Sequence, residues 1–210
     1  LRLFRRQCAS CHAYSHEEFA IAGPASPAAT SDSPGNYGAP DLAYFGSVKW
    51  IRGLLSNDSV TGIRGERYFG KTLHVAGEMA EHVHETLWAA AETEADRQAL
   101  ATQIEQVAWA LSAEAKLPYL DYAANQEKID AGIGHLNDDT LGCIGCHNYG
   151  DNEDGYVIDL NGYASVDWLT KMISDPTQTG FYDGGSENDR MPSFHSEATK
   201  LLTPREIELL

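Results

Sequence analysis

Apolar residues recur at helical spacing along most of the chain, and no stretch shows a convincing two-residue alternation of the kind that is typical of a strand. Ser47 and Ser165 are expected to cap helices, and Thr93 is expected to begin a long one. Residues 21–40, rich in alanine, serine, proline and glycine, are expected to form a surface loop. The predicted helices cover residues 2–12, 47–56, 81–91, 93–116, 126–147 and a final segment from Thr203, which has proline at its first position. The fold class that this pattern predicts is all-α.

The same sequence block occurs in the middle of each half of the chain. Residues 41–51 and 159–169 share Asp, Leu, Ser, Val and Trp without a gap, and three further positions are similar. In both copies the tryptophan and the apolar residues after it form one helical face, so Trp50 and Trp168 are expected to pack in a core. The chain is therefore predicted to consist of two tandem helical domains. They would cover residues 1–120 and 126–210.

Charge is unevenly distributed along the chain, whose formal net charge is −16. Residues 1–120 hold 10 basic and 14 acidic residues, whereas residues 121–210 hold 5 and 17. A polyanion of this size is a poor binder of nucleic acid or of anionic membrane. The acidic second half serves solubility, or it docks a basic partner by electrostatic steering, and both interpretations stay open.

The sequence gives no sign of a membrane helix, because no stretch approaches the roughly 18 apolar residues that such a helix needs. The chain begins at Leu1 without a methionine, shows no signal peptide, and stops at Leu210 inside a predicted helix. We therefore expect both ends to be trimmed, which leaves open a membrane complex formed through parts outside this sequence.

All four cysteines lie in two copies of one motif. The copies are Cys8-Ala-Ser-Cys11-His12 and Cys143-Ile-Gly-Cys146-His147. Cys-x-x-Cys-His is the attachment signature of c-type haem. Two cysteines three residues apart share a helical face, so both sulfurs can reach the vinyl groups of one porphyrin while the next residue turns its imidazole to the iron. The sequence therefore predicts two covalently bound haem c groups, with His12 and His147 as iron ligands.

Three other interpretations of the cysteine pairs compete with haem attachment. Zinc binds such pairs, but these two lie far apart in the sequence and a histidine follows each one. A thioredoxin-like redox pair needs a βαβ setting, whereas the flanks here are predicted to be helical. Disulfides form in exported chains. Two copies of the motif that use every cysteine favour haem over all three. A less favoured role for the two tryptophans is then an indole hydrogen bond to a haem propionate.

The chain has three methionines that could supply the second axial ligand of each haem. Met191 lies in a polar loop with Pro192, and it follows an aromatic pair, as Met79 does in the first half. These two are the predicted ligands. For the first haem, His74 is the alternative, with His82 and His84 also nearby. Met172 lies within a predicted helix and is expected to pack there. The remaining histidines, His16, His135 and His195, are expected to be solvated.

Taken together, these residues resemble class I cytochromes c over nearly the whole chain, twice. In that family a proline carbonyl after the haem motif orients the histidine, and the resemblance gives Pro40 this role for His12. Ile158 stands at the corresponding place in the second half, where a backbone carbonyl could still accept from His147. Met191-Pro192 matches the family's Met-Pro, whereas Ala80 follows Met79. The repeated block is also similar to haem c domains appended to cytochrome b in some quinol–cytochrome c reductases, and to dihaem subunits of terminal oxidases.

The resemblance implies a two-haem electron relay on the periplasmic or another extracytoplasmic side of a membrane, within a respiratory chain. The chain would be an electron carrier and not an enzyme, because no carboxylate pair, nucleophile elbow or phosphate loop is evident. Its partners would be redox proteins with a basic docking surface, or the other parts of a quinol-oxidising complex. The alternative is a dihaem peroxidase-like enzyme, which needs one haem with an open or displaceable sixth position.

Overall fold

The computed structural model describes residues 1–24, 38–182 and 191–210 of the chain, and these are mostly helical. Two 3₁₀ turns, at Leu73–Ala76 and Ala123–Asn125, and a π-helix at His82–Trp88 accompany the α-helices. The α-helices of the described residues are α1 (Arg2–Gln7), α2 (Val48–Leu54), α3 (Glu78–Glu81), α4 (Glu94–Ala115), α5 (Gln126–Asn137), α6 (Val166–Ser174) and α7 (Pro204–Ile207).

Capping residues fix the starts of the helices where the sequence indicated them. Thr93 and Asp96 exchange hydrogen bonds at the start of α4, and Thr203 and Glu206 do the same at the start of α7. The Ser165 hydroxyl accepts a hydrogen bond from the Trp168 N–H at the start of α6. These bonds confirm the predicted helix starts. The starts could be predicted because a cap is formed by residues close together in the sequence.

The helices before the two cysteine motifs are shorter than predicted. α1 ends at Gln7 and α5 at Asn137, whereas the pattern predicted helices through the motifs to residues 12 and 147. After α5 the chain turns at Asp139 and Gly142, whose φ angles are 51° and 69°. Left-handed backbone cannot continue a right-handed helix, so the second motif follows α5 as a separate turn.

The prediction of an all-α fold is wrong in one detail, because the chain also forms a small antiparallel sheet. β1 (Tyr14–Ser15) pairs with β2 (Ala20–Ile21), and Tyr14 lies opposite Ile21. Strands of two residues are too short to show any alternation in the sequence, which is why the pattern missed them. The predicted loop over residues 21–40 includes Ile21, which instead belongs to β2. Residues 25–37 of that loop lie outside the described residues.

The helix predicted over residues 81–91 consists of α3 followed by the π-helix. A π-helix carries i→i+5 hydrogen bonds and is rare, so apolar spacing does not reveal it. Ala80 and Val83 are fully buried on this segment, and the Trp88 indole N–H donates to the Leu55 carbonyl at 2.9 Å. The segment is therefore packed along its length.

The chain divides into two compact units, each with its own core. In the second unit, a Cβ at Gly132 on α5 would lie only 2.1 Å from the Gln106 carbonyl oxygen of α4, so glycine permits the close approach of these helices. The division falls inside α4, between Ile104 and Glu105, whereas the predicted domains met between residues 120 and 126. The first unit is Leu1–Phe45 with Lys49–Ile104, and the second is Gly46–Val48 with Glu105–Leu210.

Candidate haem-binding sites

The first Cys-x-x-Cys-His motif follows α1 directly and forms one tight turn. The Cys8 carbonyl accepts hydrogen bonds from the Cys11 N–H at 3.0 Å and from the His12 N–H at 2.8 Å. Both cysteines are half-buried. The His12 ring is held by a hydrogen bond from Nδ1 to the Pro40 carbonyl at 2.8 Å. The contact that the family resemblance implied for Pro40 is therefore present.

The second motif repeats this arrangement with different side chains. The Cys143 carbonyl accepts from the Cys146 N–H at 3.3 Å and from the His147 N–H at 2.9 Å. The His147 Nδ1 donates to the Ile158 carbonyl at 2.7 Å. Ile158 can replace the family's proline because the acceptor is the main chain.

These two hydrogen bonds fix which nitrogen of each histidine carries the proton. A carbonyl oxygen can only accept, so Nδ1 must be the protonated nitrogen and Nε2 of the neutral ring keeps its lone pair. Burial lowers the pKa of His12, and the hydrogen bond to Pro40 and the charge on Asp41 oppose that effect only in part. Both rings therefore present Nε2 as a ready donor atom for a metal.

The backbone after each histidine is repeated as well. The Leu42 N–H donates to the Ala13 carbonyl at 3.0 Å, and the Leu160 N–H donates to the Asn148 carbonyl at 3.0 Å. In each half this bond joins the residue after the histidine to the second residue of the repeated block. The block therefore contacts the Cys-x-x-Cys-His motif through the main chain in both copies.

Both copies of the block also bend at the same two positions. The φ angles are 64° at Tyr44 and 67° at Gly162, and two residues later they are 75° at Gly46 and 58° at Ala164. A left-handed conformation costs a non-glycine residue about 1–2 kcal/mol. Because Tyr44 and Ala164 adopt it all the same, tertiary contacts, rather than local preference, set the shape of the block.

The two tryptophans of the block pack in the core as predicted. Trp50 and Trp168 are 4% and 7% exposed, and each lies edge-on to two aromatic rings whose centroids are 4.7 to 5.2 Å away. Their indole N–H groups donate to the carbonyls of Asp41 and Asp159, each at 3.0 Å. The indole hydrogens are already donated, so the alternative of a propionate contact loses its support. The flanking rings are Phe45 and Tyr68 in the first copy and Tyr163 and Phe181 in the second.

The first cysteine thiol of each motif lies in surroundings that favour the protonated form. Burial raises the pKa of Cys8, with the neighbouring Cys11 adding to the effect. The pKa of Cys143 is raised to about 12, mainly by burial and to a smaller extent by the nearby groups of Asp139 and Cys146. A reactive redox pair needs a lowered thiol pKa, so these thiols do not have the properties of a thioredoxin-like centre.

The protein donors present at each motif fit a haem better than a bare metal ion. All four cysteines are free thiols, and across the described ranges no group of three or more His, Cys, Asp or Glu residues could hold a metal ion. Structural zinc needs four protein ligands. A porphyrin brings four nitrogens of its own, so one imidazole and two thiols per motif suit haem c.

The predicted sixth ligands of the first haem lie on neighbouring short helices. Met79 is half-buried on α3. His74 is half-buried in the 3₁₀ turn before it, and its ring lies 5.8 Å from that of Phe69. The positions of these two residues do not decide which of them would bind the iron, so Met79 and His74 both stay predictions.

Met191 is half-buried at the start of the last described segment, and hydrogen bonds fix the residues after it to the end of α6. The Ser193 hydroxyl donates to Asp175 Oδ1 at 2.8 Å. The Phe194 N–H donates to the Ile173 carbonyl at 3.2 Å, and the His195 N–H to the Ser174 carbonyl at 2.9 Å. The predicted role of Met172 in packing is confirmed, since this α6 residue is only 7% exposed.

The expectation that His16, His135 and His195 are solvated is wrong. All three are half-buried. His16 stacks on Tyr44 with the ring centroids 5.0 Å apart, His135 Nε2 lies 2.9 Å from Gln106 Oε1, and His195 Nδ1 donates to the Leu202 carbonyl at 2.7 Å. Polar sequence neighbours gave no sign of these contacts, because the partners of His135 and His195 come from other segments of the chain.

The surroundings of the two motifs differ in charge. α1, directly before the first motif, carries basic residues and no acidic one, and Arg2 and Arg5 are exposed. Five exposed carboxylates lie close in sequence to the second motif. The difference agrees with the more acidic composition of the second half. The carboxylates are those of Asp138, Asp139, Asp151, Glu153 and Asp154.

Comparisons with family models, with curated proteins and with solved structures found no match to this chain. In the described part of the chain, no helix has both the length and the apolar character that crossing a membrane requires.

Proposed function

We propose that this chain is a dihaem c-type cytochrome of two tandem class I-like modules, and that it relays single electrons without being an enzyme itself. One observation carries the proposal: the histidine of each Cys-x-x-Cys-His motif donates Nδ1–H to a main-chain carbonyl, at 2.8 and 2.7 Å. This leaves Nε2 of each neutral ring as the lone-pair nitrogen in a motif that also holds two free thiols.

Each residue of the two sites has its own role toward the haem in this proposal. The two thiols of each motif would attach the haem as thioethers, each by adding its sulfur and its hydrogen across a vinyl group, which needs no oxidant. His12 and His147 would bind the two irons, with their rings held by the carbonyls of Pro40 and Ile158. Met79, or His74 in its place, and Met191 would be the other protein ligands. When bound, haem supplies an iron that gains and loses one electron, while the protein sets its burial and potential.

The charge pattern supports a redox partner with a basic docking surface at the second module. The exposed carboxylates near the second motif would steer such a partner, and salt would slow the encounter. The extracytoplasmic location belongs to the same proposal, as does membership of a quinol-oxidising respiratory complex through parts outside this sequence.

The test is haem content after expression in a host that attaches haem c. The wild-type chain should carry two haems and titrate as two one-electron centres. Replacing Cys8 and Cys11 by alanine should remove one haem, and replacing Cys143 and Cys146 should remove the other, whereas Ser10→Ala, inside the first motif, should keep both. A chain that carries no haem would contradict the proposal. A high-spin ferric haem that turns over peroxide would favour the peroxidase-like alternative instead.

A further inference from the structure

One half-buried imidazole of the first unit has a ring nitrogen that is shielded from solvent and has no partner. His84 lies in the π-helix His82–Trp88, and its Nε2 makes no hydrogen bond to any described residue. Shielded polar atoms are nearly always hydrogen-bonded, so an orphaned one points to a bound group as its partner. A π-helix is itself uncommon and tends to occur at functional sites.

The charge beside His84 favours an anion as the missing group. Burial lowers the pKa of His84, the positive charge of Arg64 lowers it further, and Glu85 opposes them. The lowered pKa favours the neutral ring, and the guanidinium of Arg64 is close enough to contribute to that shift. Arg64 approaches Glu85 only to 3.9 Å, and its side chain is 34% exposed, so it can still turn towards another carboxylate.

His84 is not arranged as the iron-ligand candidates are. His12 and His147 each donate Nδ1–H to a carbonyl, which fixes Nε2 as a lone pair. No such bond is found at His84 within the described ranges, and metal-bound histidines almost always have one. The ring is free to carry its proton on Nε2, which would then be a hydrogen-bond donor.

We propose that His84 Nε2–H, with Arg64 beside it, donates a hydrogen bond to a propionate carboxylate of the first haem. The inference rests on the proposed function, because it needs a haem at the first motif. Met79, the predicted sixth ligand, precedes His84 by five residues on a continuous helical segment, which is about 7 Å along the axis.

The test uses the dihaem protein and two substitutions that separate hydrogen bonding from iron ligation. His84→Leu removes the donor, so the propionate keeps more of its charge, the ferric state gains stability, and the reduction potential of the first haem falls. His84→Gln places an amide N–H near the position of Nε2, so the potential returns towards wild type. The matched control His135→Leu, in the second unit, should leave the first haem unchanged.

Each other outcome has a distinct meaning. If both His84 variants keep the wild-type potential, the propionate contact is wrong while the proposed function stands. If both lose the low-spin ferric spectrum, His84 is an iron ligand and the proposal is again wrong. If His84→Leu does not fold, Arg64→Leu at a part-exposed site must lower the same potential, and an unchanged potential there overturns the proposal. A wild-type chain without haem overturns both proposals.

Discussion

The segment that carries Met191 should depend on the side-chain hydrogen bond between Ser193 and Asp175 as well as on its backbone contacts. The Ser193 hydroxyl donates to Asp175 Oδ1 at 2.8 Å, and Asp175 also accepts from the Thr177 hydroxyl at 2.7 Å. These bonds lower the pKa of Asp175, the Thr177 hydroxyl contributing most, so the carboxylate is charged at pH 7. Ser193→Ala removes one hydroxyl and leaves the main-chain bonds of the segment in place.

A hydrogen bond to a charged group contributes about 1.5–3 kcal/mol. Ser193 and Asp175 are both half-exposed, and solvent screening reduces such interactions, so we expect about 1 kcal/mol here. Since 1.4 kcal/mol corresponds to a factor of ten, the methionine-bound form of the second haem should become about five-fold less favoured over the unbound form.

The assay is the weak red absorption band that accompanies methionine–iron bonding, followed as the temperature rises. In Ser193→Ala the band should be lost at a lower temperature than in wild type, and Ser193→Thr should restore it. Met191→Ala should abolish the second haem's share of the band.

Thr93→Ala is the matched control, because it removes a similar hydroxyl–carboxylate bond, to Asp96 at 2.7 Å, away from the second haem. An unchanged band and potential in Ser193→Ala would refute the idea that the bond between Ser193 and Asp175 holds Met191 in place.

Three further predictions follow from the packing. Trp168→Phe leaves the carbonyl of the half-buried Asp159 without its indole donor and should lower the free energy of unfolding by about 1 kcal/mol in urea denaturation; no loss would mean that water replaces the indole. Ile158→Ala should leave the second haem's potential unchanged, because the His147 acceptor is main chain, and a large shift in redox titration would contradict this. Burial raises the pKa of Tyr68 from 10.0 to about 12. Above pH 10 the unfolded chain therefore ionises first, so stability should fall up to about pH 12, and Tyr68→Phe should lessen that fall.

Local features of the sequence predicted the parts of this structure that depend on local chemistry. The caps of α4 and α7 come from Thr93 and Thr203 and from carboxylates three residues later, which are adjacent in any helix start. The core positions of Trp50 and Trp168 followed from apolar spacing within one helix.

The features that the sequence did not reveal either leave no periodic pattern in it or depend on what packs around a residue. The pairing of β1 and β2 involves too few residues for a period, and the π-helix changes hydrogen bonding without changing the apolar pattern. The orphaned nitrogen of His84 depends on what packs around it. The family resemblance predicted that the Pro40 carbonyl accepts the His12 hydrogen bond. Only the folded backbone shows that the Ile158 carbonyl accepts the corresponding bond from His147.

The main-chain acceptor of each histidine has an evolutionary consequence. A point substitution can remove a side chain but not a peptide carbonyl, so selection at this position acts on a backbone angle and not on the identity of a residue. After duplication, Pro40 and Ile158 could therefore diverge while both histidines kept the same orientation. Two copies under such weak constraint can drift apart in surface charge and in sixth ligand, so the specialisation of one module need not endanger the other.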